Sequence, residues 1–191
     1  MLNKNSILII LILSGILMAK DSIGVNVNSD AVEVESKVDV TGYFLTSEDG
    51  TKYNVESNYL NTSHSYLFGA GFSANGEVTT IPGLQFSLGA KLVMSDNKQD
   101  SFFAVPLMAK AIYQIPIADI PASYLSASLL YAPESLSFSN AESYSELRVE
   151  ADVDVIDNVS LYSGYRSIDT DYKDYDKNLD QAIYGGLKLS F

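Results

Sequence analysis

The chain of 191 residues carries 24 acidic and 12 basic side chains, a formal net charge of −12, and no cysteine. That balance argues against a nucleic-acid partner, which asks for a basic face, and against charge-driven docking on an anionic lipid surface. Without thiols there is no disulfide framework, thiolate metal site or thiol nucleophile.

The first segment stands apart. Lys4 precedes the apolar run SILIILILSGILM, and Ala19 precedes Lys20. A charged start, an apolar stretch and a small residue at a cut read as a signal peptide over residues 1–19. The run is roughly 13 residues, short of the roughly 20 that span a bilayer as a helix. An uncleaved anchor is the rival reading, because Leu17 fits the small-residue site poorly. Cleavage removes Lys4 and leaves the mature chain one unit more acidic. No later stretch is apolar enough for a membrane helix, so membrane residence requires a closed β-barrel, which leaves no open sheet edge in hydrocarbon. The 13 Tyr and 8 Phe, with no Trp, suit a barrel wet inside and apolar outside.

From residue 20 to 191 the recurring unit is an alternating strand followed by a Gly, Pro, Asn or Asp break. SIGVNVN leads to AVEVESKVDVTGYFL, then KYNVESNYL, SYLFGAGFSA, LQFSLGAKLVM, FFAVPLMAKAIYQ, SYLSASLLY, YSELRVEADVDV, VSLYSGYRS and the closing AIYGGLKLSF. These predict a single domain, an all-β, antiparallel up-and-down transmembrane barrel of about ten strands; eight, with the first hairpin packed elsewhere, is the alternative. An even count returns both termini to the periplasm. Breaks near 61–64, 95–101, 132–142 and 168–180 then fall outside, and those near 46–51, 76–83, 114–121 and 156–158 inside. Pro106 lies within a strand and cannot donate to its ladder, which predicts a bulge or a register end there.

In YSELRVEADVDV, Leu147, Val149, Ala151, Val153 and Val155 alternate with Glu146, Arg148, Glu150, Asp152 and Asp154. A soluble periplasmic sandwich would bury the valines; a membrane barrel would turn them to lipid and the charges to the lumen. The barrel is favoured by the leader, by tyrosines near strand ends (Tyr43, Tyr59, Tyr113, Tyr131, Tyr165) and by the lack of bulky residues on both faces of a strand. The lumen network expected is Glu33, Glu35, Lys37, Asp39, Glu56, Lys91, Lys110, Glu146, Arg148, Glu150, Asp152, Asp154, Arg166 and Lys188. An interior of eight to ten strands is close to filled by side chains, so mixed charges there predict a plug or a narrow polar path.

In the closing strand Ile183, Gly185, Leu187, Leu189 and Phe191 share one face. The blocks Tyr131-Ala-Pro-Glu-Ser-Leu136, Glu142-Ser-Tyr144, Ser163-Gly-Tyr-Arg166 and Tyr184-Gly-Gly-Leu-Lys-Leu-Ser-Phe191 resemble, in order and spacing, the YfaZ-type family of small bacterial outer-membrane proteins. The resemblance implies a barrel in the bacterial outer membrane, a Gram-negative source and no established activity. In outer-membrane barrels of this type the last strand is also an address for the barrel-insertion machinery, which would recognise Gly186, Leu189 and Phe191.

Little in the sequence points to catalysis. His64, the one histidine, sits in a predicted loop between Ser63 and Ser65, whose side chains are poorly placed as partners. It is the residue on which a lipid-modifying enzyme would depend. The acidic stretch IDTDYKDYDKNLD reads as a solvated loop; an interaction with divalent cations is the sharper alternative. The expectation is therefore a monomeric, non-enzymatic barrel with a structural or narrow-pore role. It has no cofactor or nucleic acid, and its partners are outer-membrane lipids and the insertion machinery.

Overall fold

The computed structural model describes residues 21–44, 50–63, 65–97, 101–117, 120–173 and 175–191. Residues 1–19, assigned to a leader, and His64 lie outside them. Twelve strands follow in order: β1 Ser22–Val27, β2 Ala31–Asp39, β3 Lys52–Thr62, β4 Ser65–Glu77, β5 Leu84–Asn97, β6 Ser101–Ala104, β7 Leu107–Gln114, β8 Ser123–Ala132, β9 Ser137–Ser139, β10 Ala141–Ile156, β11 Val159–Tyr172 and β12 Asp176–Ser190. Every pairing is antiparallel. The wall runs β4-β3-β2-β1-β12-β11-β10-β8-β7-β5 and closes by pairing β4 with β5, giving ten strands, with β6 and β9 as additions at one end. The first hairpin belongs to this wall, so the eight-stranded alternative falls. One sheet closed on itself also excludes the sandwich.

Local chemistry sets the turns. Asn28 caps the β1–β2 turn, its Oδ1 accepting from the backbone N–H groups of Asp30 and Ala31 at 2.8 and 2.6 Å. Asn158 takes a positive φ of 66° in the two-residue turn between β10 and β11, a position Asn tolerates. Pro106 interrupts the strand without shifting its partner. Val93 pairs with Ala104 and Ala90 with Leu107 in one register, and Lys91 N–H donates to Pro106 O at 3.0 Å. The register ends on the other side. There β8 pairs β7, whereas β6 pairs β9, reached through a 3-10 turn at Glu134–Leu136. The break at 132–142 therefore contains strand structure, and most of 168–180 is the extended tip of β11 and β12 rather than a loop.

Alternation sorts the side chains. On β10, Leu147, Val149 and Val153 are exposed on the outer face, while Glu146, Arg148, Glu150 and Asp152 are buried inside. Each of the ten wall strands turns at least one large apolar side chain outward, from Val25 on β1 to Leu187 on β12. The barrel has a lower end, where Phe191 N–H donates to Asp21 O at 2.9 Å, and an upper end bearing β6 and β9. The apolar core lies inside toward the upper end. Leu60, Leu67, Val93, Phe102, Leu130, Tyr144, Ile168 and Tyr172 pack there with Ala31, Ala104, Ala132 and Leu179. Bulky residues thus occupy both faces at upper strand ends, as in Leu92-Val93 and Leu129-Leu130, contrary to the pattern expected from sequence. The seam between β1 and β12 is short: six residue pairs, against thirteen between β11 and β12.

Candidate functional site

The interior below the apolar core is an ion-pair layer. Register places Arg148 on β10 directly opposite Arg166 on β11. Two like charges so placed repel, so carboxylates must come from elsewhere. Glu33 on β2, fully buried, supplies one. It receives the Arg148 fork, Nη2 to Oε1 at 2.7 Å and Nη1 to Oε2 at 2.8 Å, and Arg166 Nη1 also donates to its Oε2. Asn58 donates to the same carboxylate at 2.7 Å and Asn26 at 3.0 Å. Each guanidinium has a second partner: Glu146 for Arg148, and Asp180 for Arg166 at 2.6 Å. Tyr144 OH donates to Glu146 at 2.6 Å, linking the layer to the apolar core. A bidentate fork with every oxygen occupied is the arrangement that buried charge requires.

Beneath this layer lies a cavity of about 250 Å³. Glu35, Lys37, Glu56, Lys91, Lys110, Glu146, Arg148, Glu150 and Lys188 all line it. Toward the lower end Lys188 donates to Asp152 at 2.7 Å and stands 4.8 Å over the Tyr162 ring. Tyr184 donates to Glu150 at 2.6 Å, and Ser73 to Glu56 at 3.2 Å. Gly186 leaves room for Tyr162, since a Cβ there would come within 2.7 Å of the ring.

Of the fourteen charges assigned to the lumen, Glu33, Glu146, Arg148 and Arg166 form the ion-pair layer. Asp152 and Lys188 form a second pair, and Glu35, Lys37, Glu56, Lys91, Lys110 and Glu150 stand around the cavity. Asp39 and Asp154 are not brought into either group. Asp39 accepts from Thr41 N–H at 3.0 Å, and Asp154 from Ser160 Oγ at 2.6 Å. Sequence reasoning missed Asp180, placed in a loop but aimed inward at Arg166. It also missed Asn26 and Asn58, whose neutral side chains gave no charge signal although their inward register follows from direct cross-strand pairing, Asn26 with Glu33 and Asn58 with Glu35. Asp169 and Asp171 of that stretch face outward into local bonds. Asp169 accepts from Asn178 at 2.7 Å and Asp171 from Ser143 at 2.5 Å. Among the described residues no group of three His, Asp or Glu is placed to hold a metal ion. In the closing strand Leu189 and Phe191 face outward and exposed, and Gly186 faces inward.

Among solved structures the chain is similar to one described as a NanC porin structure in rhombohedral crystal form. Identity is 14% and TM-score 0.46, covering 91% of this chain and 99% of that one. It is also similar to a bacterial polysaccharide outer membrane secretin, at 11% identity and TM-score 0.45 over 84% of this chain; it spans 57% of that protein's length. No curated protein sequence matches it. The family model described as YfaZ precursor matches residues 8–191, nearly the whole chain. The chain belongs to the YfaZ precursor family.

Proposed function

We propose that the mature chain resides in the bacterial outer membrane as a non-enzymatic, monomeric barrel whose lumen is plugged. The reading takes residues 1–19 as a signal peptide removed on export. The observation that carries it is the inversion of a soluble protein's pattern: exposed apolar side chains on every wall strand, and buried ion pairs within. Only a low-dielectric surrounding makes that outer face favourable. The plug rests on the order of the interior. The apolar cluster lies above the ion-pair layer, and its Val93, Ala132, Tyr144 and Ile168 are 0% exposed. Leu189 and Phe191, on the lipid side, suit recognition by the insertion machinery together with Gly186. The role is structural, or that of a narrow path the plug keeps shut.

Conductance of the detergent-extracted protein in a planar lipid bilayer tests this. The expected result is insertion without discrete steps, and small steps from a Phe102→Ala/Tyr144→Ala variant, which removes two rings of the core that pack against each other at a tilt, 5.7 Å between centroids. Steady conductance by the unaltered protein overturns the plug.

A further inference from the structure

We propose that the cavity below the ion-pair layer binds a small hydroxylated oxyanion, a carboxylate or a phosphate monoester, entering from the lower end. The inference rests on the plugged-barrel reading for its direction of entry. Its chemistry comes from lysines without a partner at ion-pair distance. Lys37, Lys91 and Lys110 line the cavity, yet none forms an ion pair with any described residue, whereas Arg148 and Lys188 do. The carboxylates around them are already supplied with donors: Glu150 by Tyr184 and Ser126, Glu56 by Ser73, Glu146 by Tyr144 and Arg148. Glu35 lies against the Tyr162 hydroxyl over Gly24. Glu35, Glu56 and Glu150 likewise have no cation at ion-pair distance among the described residues, so the charges balance. Only the three ammonium groups offer donors, however, and these face the cavity where an anionic group could accept from them.

A second observation is independent of charge. Asn58 is 5% exposed and lines the same cavity. Its amide donates to Glu33, but its Oδ1 accepts from no donor among the described residues. A buried acceptor left empty is costly, and a hydroxyl next to the anionic group of a ligand would fill it. Gly69 makes this space: the Asn58 Oδ1 and the end of the Lys91 side chain both lie where its Cβ would be. At roughly 30 Å³ per water, about 250 Å³ holds on the order of eight waters, room for a solute of roughly ten to thirteen covalently linked heavy atoms. Entry is from below, because Lys37, Glu56, Lys110 and Lys188 retain partial exposure while the core above them has almost none.

The test is isothermal titration of the folded, detergent-solubilised mature protein with gluconate and with glycerol 3-phosphate. Methyl glucoside serves as the uncharged control and hexanoate as the hydroxyl-free one. The expected result is saturable binding of at least one of the two hydroxylated anions, the tighter one naming the source. Lys91→Gln and Lys110→Gln should each weaken it about tenfold, since a hydrogen bond to a charged group is lost; methyl glucoside should not bind, and hexanoate should bind more weakly. Folding of each variant is read from its mobility on unheated gels. Folded wild-type protein that binds neither hydroxylated anion overturns the proposal, as do Gln variants that bind like wild type or hexanoate that binds equally well. Conductance reads the plug separately: a conducting barrel that still binds removes the entry argument and leaves the site.

Discussion

Replacing Glu33 by Gln tests the interior most directly. The native layer sets two guanidiniums against three carboxylates, and Glu33 is the one both arginines share. Gln preserves shape and one acceptor but removes the charge and turns an N–H donor toward one guanidinium. Breaking a buried pair by removing one partner costs about 3–5 kcal/mol. Arg148 keeps Glu146 and Arg166 keeps Asp180, which places the loss at the low end, about 3 kcal/mol. With a urea slope of about 1–3 kcal/mol/M, the unfolding midpoint falls by about 1–3 M. The assay is a urea titration of the protein folded into liposomes, scored by the mobility difference between folded and unfolded barrels on unheated gels. Asp171→Asn, on the outer face of the β11 tip, is the control and should move stability by about 0.5 kcal/mol or less. A Glu33→Gln shift no larger than that control's refutes the reasoning, because a wetted, unpaired carboxylate would behave that way.

The same titration maps the lipid belt. Leu187→Arg should cost about 2–4 kcal/mol, as a charge near the bilayer midplane does, and Gln181→Arg about 0–1, at the polar upper rim. Gly186→Val should lower the yield of folded protein, since its Cβ would sit 2.5 Å from Val25 O and crowd Tyr162. Gly185→Val, whose Cβ would find its nearest neighbour at 3.8 Å, should fold like wild type. Phe191→Ala should leave the unfolding free energy within about 0.5 kcal/mol of wild type but slow the appearance of folded barrel when the insertion machinery is supplied. Equal rates would remove Phe191 from the insertion signal.

Alternation made the wall legible, because a period of two survives in nearly every strand and β10 displays it from Glu146 to Val153. Strand tips were harder. The Asp-rich stretch after Ile168 carries the residues of a turn, and composition alone gives no hint that Asp180 pairs with an arginine on the neighbouring strand. Its inward register follows only once β11 and β12 are aligned, with Ile168 opposite Asp180. The upper core left a weaker trace. Consecutive apolar pairs such as Tyr59-Leu60, Leu92-Val93 and Leu129-Leu130 mark the level at which the inner face changes from polar to apolar, but a pair of apolar residues also fits a buried soluble strand. The cavity was out of reach, since it depends on which charges find partners across the barrel, and Asn58 and Gly69 have no distinctive sequence signal.

The six-pair ladder between β1 and β12 bears on how long the barrel lasts. It joins residues far apart in the chain, so its closure carries the largest loop entropy and comes late, and a ladder this short, with no tight turn joining its strands, is the easiest place for the wall to part. The interior crosses that line repeatedly. Asn26 on β1 bonds Tyr162, Glu33 on β2 holds Arg166, and Asn28 reaches Asp180 at 3.3 Å. Opening there would break these bonds together and uncover their charges at the apolar outer face. The buried ions therefore act as a clasp on a short seam, and their main effect is on the rate of opening, which sets the lifetime of the folded barrel.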